Sequence, residues 1–504
     1  MLLPDDDVVE PGGEFAAGFA RLRDDFDVPG EHPPEVLRAA EEAARRPFDV
    51  VEPGGETGRW RHVDRTDREF LTLDPASSTD LDQAFAIEVA GSDVLLHYAI
   101  ADVGWFVRPG DPIDREAWKR GVTIYLPDGR AGLHPPRLAE DAASLLPGSP
   151  KPAIVFTVRV APDGSVALDG VERSMIRNRA KLAYSTVTAA DLPDGFAELS
   201  QRIETNERHR GADRIQWPEQ EVVRVRHAGD VDGGDGDGSG SGHRFALRFR
   251  PRNDAELQNA AMSLATNMAV ADAMFAAGTG LFRTMPPVDQ RLVGRLRHTA
   301  EAFGLHWPAA LSLGEFERAL PAGQPRTAAF QLAVRRASGG ASYTPYTEYR
   351  DGAVPADGGV KDGRPWHAAV AATYAHATAP LRRLADRYVI EATLAFANGR
   401  EVPEEIAAAF PELPDAMRSG DQLANRVDRA AIDLAEAILL SDRVGEAFEA
   451  FVTDEDDRGA RIQICDPAVI SRVAANDLDP GDRIEVRLTS VDVAERDVEF
   501  ERVG

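Results

Sequence analysis

Three carboxylates are set close together in one short stretch, Phe70 to Glu88, FLTLDPASSTDLDQAFAIE. Asp74, Asp80 and Asp82 are those acids. Held this near one another they repel unless a cation neutralises them, and hard oxygen donors favour Mg²⁺ or Mn²⁺. The same acids serve equally well as caps of a solvent-facing turn. Spacing alone leaves both readings open.

The flanking residues predict how the acids are positioned. Phe70-Leu71-Thr72-Leu73 and Ala84-Phe85-Ala86-Ile87 are apolar and β-prone, while Pro75-Ala76-Ser77-Ser78-Thr79 has turn chemistry. Asp80 and Asp82 are two residues apart, so in an extended segment they project to one side and Leu81 to the other. Asp74 then folds back across the turn to join them. Further on, Val94 to Asp102 reads as a buried strand ending in a carboxylate. Gly121 to Pro127 places Tyr125 in a strand before a Pro-Asp-Gly turn, where an aromatic is core by default.

Composition bounds the rest. A chain of 504 residues suffices for a large core and two or three domains. No apolar run reaches the roughly 18 residues of a membrane span, and the N-terminus lacks the basic region of a signal peptide; a cytoplasmic monomer is expected. One cysteine, Cys465, excludes a disulfide framework and a cysteine-rich zinc site. The net charge of −27 argues against a general nucleic-acid binder. Of the 57 Lys plus Arg, only Lys119, Lys151, Lys181 and Lys361 are lysine. An acidic surface so poor in lysine resembles the proteins of salt-loving archaea, with arginine kept where phosphates bind.

The acidic stretch is similar to the metal-binding signature of the ribonuclease II / ribonuclease R family of 3′-to-5′ exoribonucleases, roughly TIDxxxxxDxDDA. Asp74, Asp80 and Asp82 match its first three acids, and Gln83 stands at the fourth, bringing an amide oxygen but no charge. Ala372 to Asp386, ATYAHATAPLRRLAD, is close to the family's YxHFTSPIRRYxD, with Tyr374, His376, Thr378, Pro380, Arg382, Arg383 and Asp386 on matching positions. Pro380 is suited to the first turn of a helix whose free N–H groups, with the adjacent arginines, favour phosphate. Val94 to Val107, Leu281 to Leu305 and His134 to Pro147 resemble further family segments in the same order. Asn259 stands where the family has a glutamate near a helix start.

The resemblance implies an α+β catalytic fold, a β-sheet core enclosed by helices around a channel for single-stranded RNA. It implies one or two Mg²⁺ or Mn²⁺ ions on Asp74, Asp80, Asp82 and Gln83, and catalysis by Asp82, Arg382 and Glu436, with Asp433 as an alternative register for the last. RNA contacts fall to Tyr125, which stacks on the terminal nucleotide, and to Tyr374, His376, Arg383 and Trp217. Ordinary burial is the other reading of Trp217. Asp102 is either near the metal or simply a strand-end acid, and Arg177, Arg179 and Lys181 either meet phosphates or form a solvated face.

The domains expected are an acidic N-terminal segment, 1–65, without a cold-shock pattern; a catalytic domain, 66–445, interrupted by the Gly/Asp loop 229–242; and a small OB-like β-barrel, 446–504. The activity implied is hydrolysis of single-stranded RNA from its 3′ end to nucleoside 5′-monophosphates. Gln83 and Asn259 motivate an alternative, a catalytically weakened RNA-binding or regulatory protein. A phosphodiesterase of small nucleotides is a third reading.

Overall fold

The computed structural model describes residues 12–55, 58–212, 219–225, 244–250, 253–321, 325–337, 339–352, 359–456, 459–464, 468–474, 478–479 and 481–503. Trp217, Cys465 and the loop 229–242 lie outside the described residues.

The central sheet is built from β1 (Asp49–Val51), β2 (Arg61–Asp74), β3 (Gln83–Ala90) and β4 (Asp93–Ala101), joined after the β5–β6 hairpin (Ile124–Leu126, Gly129–Ala131) by β7 (Lys151–Val160) and β8 (Val166–Ala183). Its order is β1-β2-β3-β4-β7-β8, and β8 also pairs with β2 in parallel, so five of the strands close on themselves. β2 meets β3 at the single pair Leu71 and Phe85, yet runs on beside β8 until Asp74 lies opposite Ala183. The loop 75–82 therefore spans an opening between β2 and β3, as the turn chemistry of Pro75 to Thr79 predicts.

Alternation decides which side is core. Leu96, Tyr98 and Ile100 of β4, with Phe85 and Phe156, are fully buried in a cluster completed by the helix Asp254–Ala276. Alanines on that helix let it lie close to the sheet, and a capping box between Asn253 and Glu256 sets its start. Each large side chain so buried contributes about 1.5–3 kcal/mol. A second cluster on the other face takes Phe70, Leu81, Trp105 and Phe106. Leu81 thus points away from its two aspartate neighbours, as their spacing requires.

Among the charged residues sealed in this region, Asp102 accepts from Arg173 Nη2 at 3.2 Å, has Arg173 Nε 2.8 Å away as an ion pair and faces His62 Nε2 at 3.1 Å, and Arg173 also pairs with Glu391. Burial opposes ionisation of Asp102, but Arg173 and His62 hold its carboxyl below the usual carboxylate range. Asp102 also caps the short helix Val103–Phe106 by accepting from Trp105 N. Its role is structural, which resolves the two readings of this acid.

The N-terminal segment is more integrated than its sequence suggests. The expected helix at Pro34 is present as Pro34–Ala44, but Gly12–Asp25 is a helix too, packing Phe15 and Phe19 onto Phe245. Strand β1 pairs with β2, so residues before 65 add to the central sheet. At the other end, Ala447–Asp456, Gly459–Ile464, Val469–Val473, Arg483–Asp492 and Asp497–Arg502 form a closed five-stranded barrel, joined to the body by the long helix Leu413–Leu440. Among the described residues no helix is long and apolar enough to cross a membrane.

Candidate active site

The acidic loop forms one wall of a cavity of about 1090 Å³. Asp74, at the end of β2, and Asp82, just before β3, both line it. Asp82 is only 5% exposed; it accepts from the backbone N–H of Leu381 at 2.8 Å and faces Arg382 Nε at 3.3 Å. Burial pushes its carboxyl up to about 7, against the pull of Arg382 and the Leu381 amide. Burial likewise pushes Asp74 up to about 6, opposed by Arg382 and Lys181. Asp74 makes no side-chain hydrogen bond among the described residues. Desolvated carboxylates of this kind are suitable oxygen donors for a hard cation.

Asp80 is held differently. Its Oδ1 pairs with Arg130 at 2.6 Å and its Oδ2 accepts from the Tyr125 hydroxyl at 3.2 Å. Tyr125 and Arg130 are directly opposed across the β5–β6 hairpin, so both reach the same side of it. The Tyr125 ring is 50% exposed and lines the cavity. Lys181 donates to the carbonyls of Ala76 and Ser78 at 2.7 and 2.6 Å, which fixes the course of the loop.

The opposite wall comes from the segment 374–383. Tyr374, Thr378, Arg382 and Arg383 all line the cavity. The helix expected from Pro380 starts later, at Leu384, because the chain first turns, with Arg383 N bonded to Ala379 O. The free amides there are already taken, since Thr378 N and Ala379 N donate to Asp386 and Leu381 N to Asp82. Arg383 is locked to Asp386 at 2.7 Å, whereas Arg382, close to half exposed, projects beside Asp82.

The sequence comparisons agree with this geometry. An RNB domain is matched over residues 62–397, and an RNase II-type exonuclease C-terminal S1 domain over 446–503. The chain belongs to the RNB family. It is similar to ribonuclease R of Aquifex aeolicus, 26% identical over 525 residues that cover 95% of this chain and 69% of the relative. Its fold is like that of Mycoplasma genitalium RNase R, solved with ribose-methylated single-stranded RNA, at 17% identity and a TM-score of 0.80, covering 97% of this chain and 78% of that one. It is also like yeast Ssd1, a pseudonuclease, at 16% identity and a TM-score of 0.67, covering 97% and 58%.

Within this RNB fold, the two residues at lost acidic positions are both engaged. Gln83 Oε1 accepts from the hydroxyls of Tyr98 and, at 3.1 Å, Ser263. Asn259 donates to Leu73 O at 3.2 Å and to the Tyr184 hydroxyl at 2.7 Å. Among the described residues no three His, Cys, Asp or Glu side chains converge closely enough to hold a metal ion. Asp74 and Asp82 both offer carboxylate oxygens to the cavity, but the expected side chains do not form one ligand group.

Several other candidate residues lie elsewhere. Glu436 is not in this cavity: 2% exposed, it lines a separate one of about 570 Å³ between the helix Leu413–Leu440 and the barrel. There it accepts from Gln220 Nε2 at 2.6 Å and Ile470 N at 2.9 Å, which gives it a docking role. Asp433 lines the same second cavity, so the alternative register fares no better. His376 does not line the active cavity either; its Nδ1 faces the Tyr343 hydroxyl at 2.8 Å, and burial with nearby arginines holds it well below the usual imidazole range. Arg177 and Arg179 donate to the carbonyls of Gly148 and Thr66, and neither reaches the cavity.

Arg130 is a cavity residue that sequence reasoning passed over. Its signal was present in the Tyr-Leu-Pro-Asp-Gly-Arg hairpin, where the residue opposite Tyr125 must share its face.

Proposed function

We propose that the chain is a metal-dependent 3′-to-5′ exoribonuclease acting on single-stranded RNA. The observation that carries this reading is the convergence of Asp74, Asp82, Tyr125 and Arg382, drawn from distant parts of the sequence, on one cavity. A Mg²⁺ or Mn²⁺ ion held by Asp74 and Asp82 would supply Lewis acidity and a more acidic water for attack on the phosphate. The exposed Tyr125 ring offers a stacking surface for the terminal base, which tolerates any sequence because every base has a π-face. Arg382 carries a fixed charge beside Asp82, where it neutralises the phosphate as negative charge develops. Tyr374 and Arg383 shape the wall behind them, and the barrel adds a second RNA-binding surface.

The products test this reading. Uniformly labelled RNA should yield nucleoside 5′-monophosphates in the presence of Mg²⁺ or Mn²⁺. Hydrolysis of a dinucleotide with no advantage for longer strands would instead identify a small-nucleotide phosphodiesterase. A catalytically silent RNA binder is the second reading, favoured by Gln83 and Asn259; it binds RNA and releases no monophosphate.

A further inference from the structure

We propose that Arg23, on the N-terminal helix Gly12–Asp25, is a positioning residue that fixes the β5–β6 hairpin at the lip of the cavity, and that Asp25 and Phe26, just beyond it, tie the same helix end to the barrel. The kinetic consequence rests on the exonuclease reading above, whereas the structural one does not. The hairpin needs outside support. Its two strands share only the pairs Ile124–Ala131, Tyr125–Arg130 and Leu126–Gly129, and an isolated two-stranded hairpin is marginally stable at best in water. Yet the whole run from Tyr125 to Arg130 lines the cavity. Arg130 is held on one flank by Asp80 and Glu140, which leaves the tip at Asp128 to be fixed from elsewhere.

Arg23 supplies that contact. Its Nη2 donates to Asp128 Oδ1 at 2.6 Å and its Nη1 to Asp128 Oδ2 at 2.9 Å. A single exposed ion pair contributes little, but two parallel bonds to one carboxylate set direction as well as distance. Nη1 also donates to Phe19 O at 3.2 Å, which orients the guanidinium from its own helix. The helix is anchored in its turn. Phe15, Phe19 and Leu22 form one stripe at helical spacing and are sealed from solvent. Gly18 lets Leu434 of the long helix approach so closely that a Cβ there would sit 2.6 Å from its Cδ2. A firmly packed element thus grips the tip of a short one.

The chain just beyond reaches the barrel. Asp25 Oδ2 pairs with Arg496 Nη1 at 2.7 Å, and the guanidiniums of Arg496 and Arg426 each lie 5.7 Å from the Phe26 ring centroid, within cation–π range. Arg496 stands in the turn between the strands Arg483–Asp492 and Asp497–Arg502 with a φ of 57°, a left-handed conformation that glycine adopts more easily. The turn is therefore strained at the residue whose side chain makes the contact. Val493 of the same turn and Phe26 both pack against the main core. Four consecutive residues, Arg23 to Phe26, join the barrel to the cavity lip, so a strand held by the barrel would meet a lip whose position the barrel helps to set.

Amide hydrogen exchange of the full-length chain, read by mass spectrometry, tests this without relying on turnover. Arg23→Gln should speed exchange of the hairpin amides several-fold with Tm nearly unchanged. Arg496→Gln, which cuts only the barrel end, should speed the same amides by a smaller factor. With RNA as substrate, Arg23→Gln should raise KM several-fold and leave kcat nearly unchanged, the pattern of a lost binding contribution. Reversing the pair, Arg23→Glu with Asp128→Arg, should restore both the slow exchange and the low KM. Hairpin exchange unchanged in Arg23→Gln, or a reversed pair no better than Arg23→Glu alone, overturns the positioning role. Hairpin exchange unchanged in Arg496→Gln overturns the tie to the barrel. If the wild type releases no monophosphate, the exonuclease reading fails and the exchange comparison alone decides. Should Arg23→Gln fold poorly, Asp128→Asn cuts the same pair from the hairpin side and must give the same faster exchange.

Discussion

The Leu381 amide donates to the Asp82 carboxylate at 2.8 Å, tying the acidic loop to the arginine turn across 299 positions of sequence. This one contact fixes the two halves of the site in a common frame. It also leaves the second carboxylate oxygen to face Arg382 and the cavity.

Asp82→Asn keeps an acceptor for Leu381 and the shape of the side chain, but removes its charge. Cleavage should fall by at least 10²–10³-fold, roughly the loss of one electrostatic contact to a reacting phosphate. RNA affinity in the absence of metal should persist. Filter binding beside single-turnover cleavage separates the two, and loss of binding with partial cleavage would contradict the assignment.

Tyr125→Ala removes the exposed ring. Stacking on one base is worth about 1–3 kcal/mol, so affinity for a single strand should weaken by roughly 5- to 150-fold. Tyr125→Phe keeps the ring and should retain most of that affinity. Equal losses in the two variants, measured by fluorescence anisotropy, would mean that the hydroxyl matters more than the stack.

Glu436 gives a pH dependence of known sign. Burial pushes its carboxyl from about 4.5 up to about 7, opposed by the Ile470 amide and Gln220 and modulated by Asp433 and Arg429 on its own helix. Arg461, Arg472, Arg496 and Asp497 face the same cavity from the barrel side. The folded state binds the extra proton between these values, so stability is full below about 4.5 and declines as pH rises to about 7. Glu436→Gln keeps an acceptor for both donors and should flatten that decline in Tm. Parallel profiles for the two proteins would exclude Glu436 as its source.

The charge of −27 predicts a salt requirement, because like charges on the surface repel until they are screened. Tm should rise as KCl increases from about 0.1 M to about 2 M, where the screening length shrinks below about 3 Å. An unchanged Tm would show that surface arginine pairs such as Arg61 with Asp49 and Arg418 with Asp415 already balance the charge.

What was legible in the sequence was the local pattern. The alternation around Leu81 set the direction of Asp80 and Asp82, and the Pro-Asp-Gly turn set the hairpin of Tyr125. The barrel was expected from the β-prone pattern after about Glu449 and its likeness to an OB module. Partner choice was not legible, because it depends on groups far apart in sequence. Asp80 looks like Asp82 until Arg130 is brought against it, and Glu436 looks like a site acid until the barrel closes over it. Gly12–Asp25 escaped notice because its phenylalanines gain their meaning only from Phe245. Pro380 invited a helix start, but Asp82 and Asp386 draw the amides that a helix start would have offered to phosphate.

The most direct test is a time course on single-stranded RNA labelled at its 5′ end, with Mg²⁺, with Mn²⁺ and with chelator, in high-KCl buffer. The account predicts a ladder that shortens from the 3′ end with free nucleoside 5′-monophosphates, abolished by chelator. Tight RNA binding with no shortening in either metal would contradict it and make the chain an RNA-binding member of the RNB family.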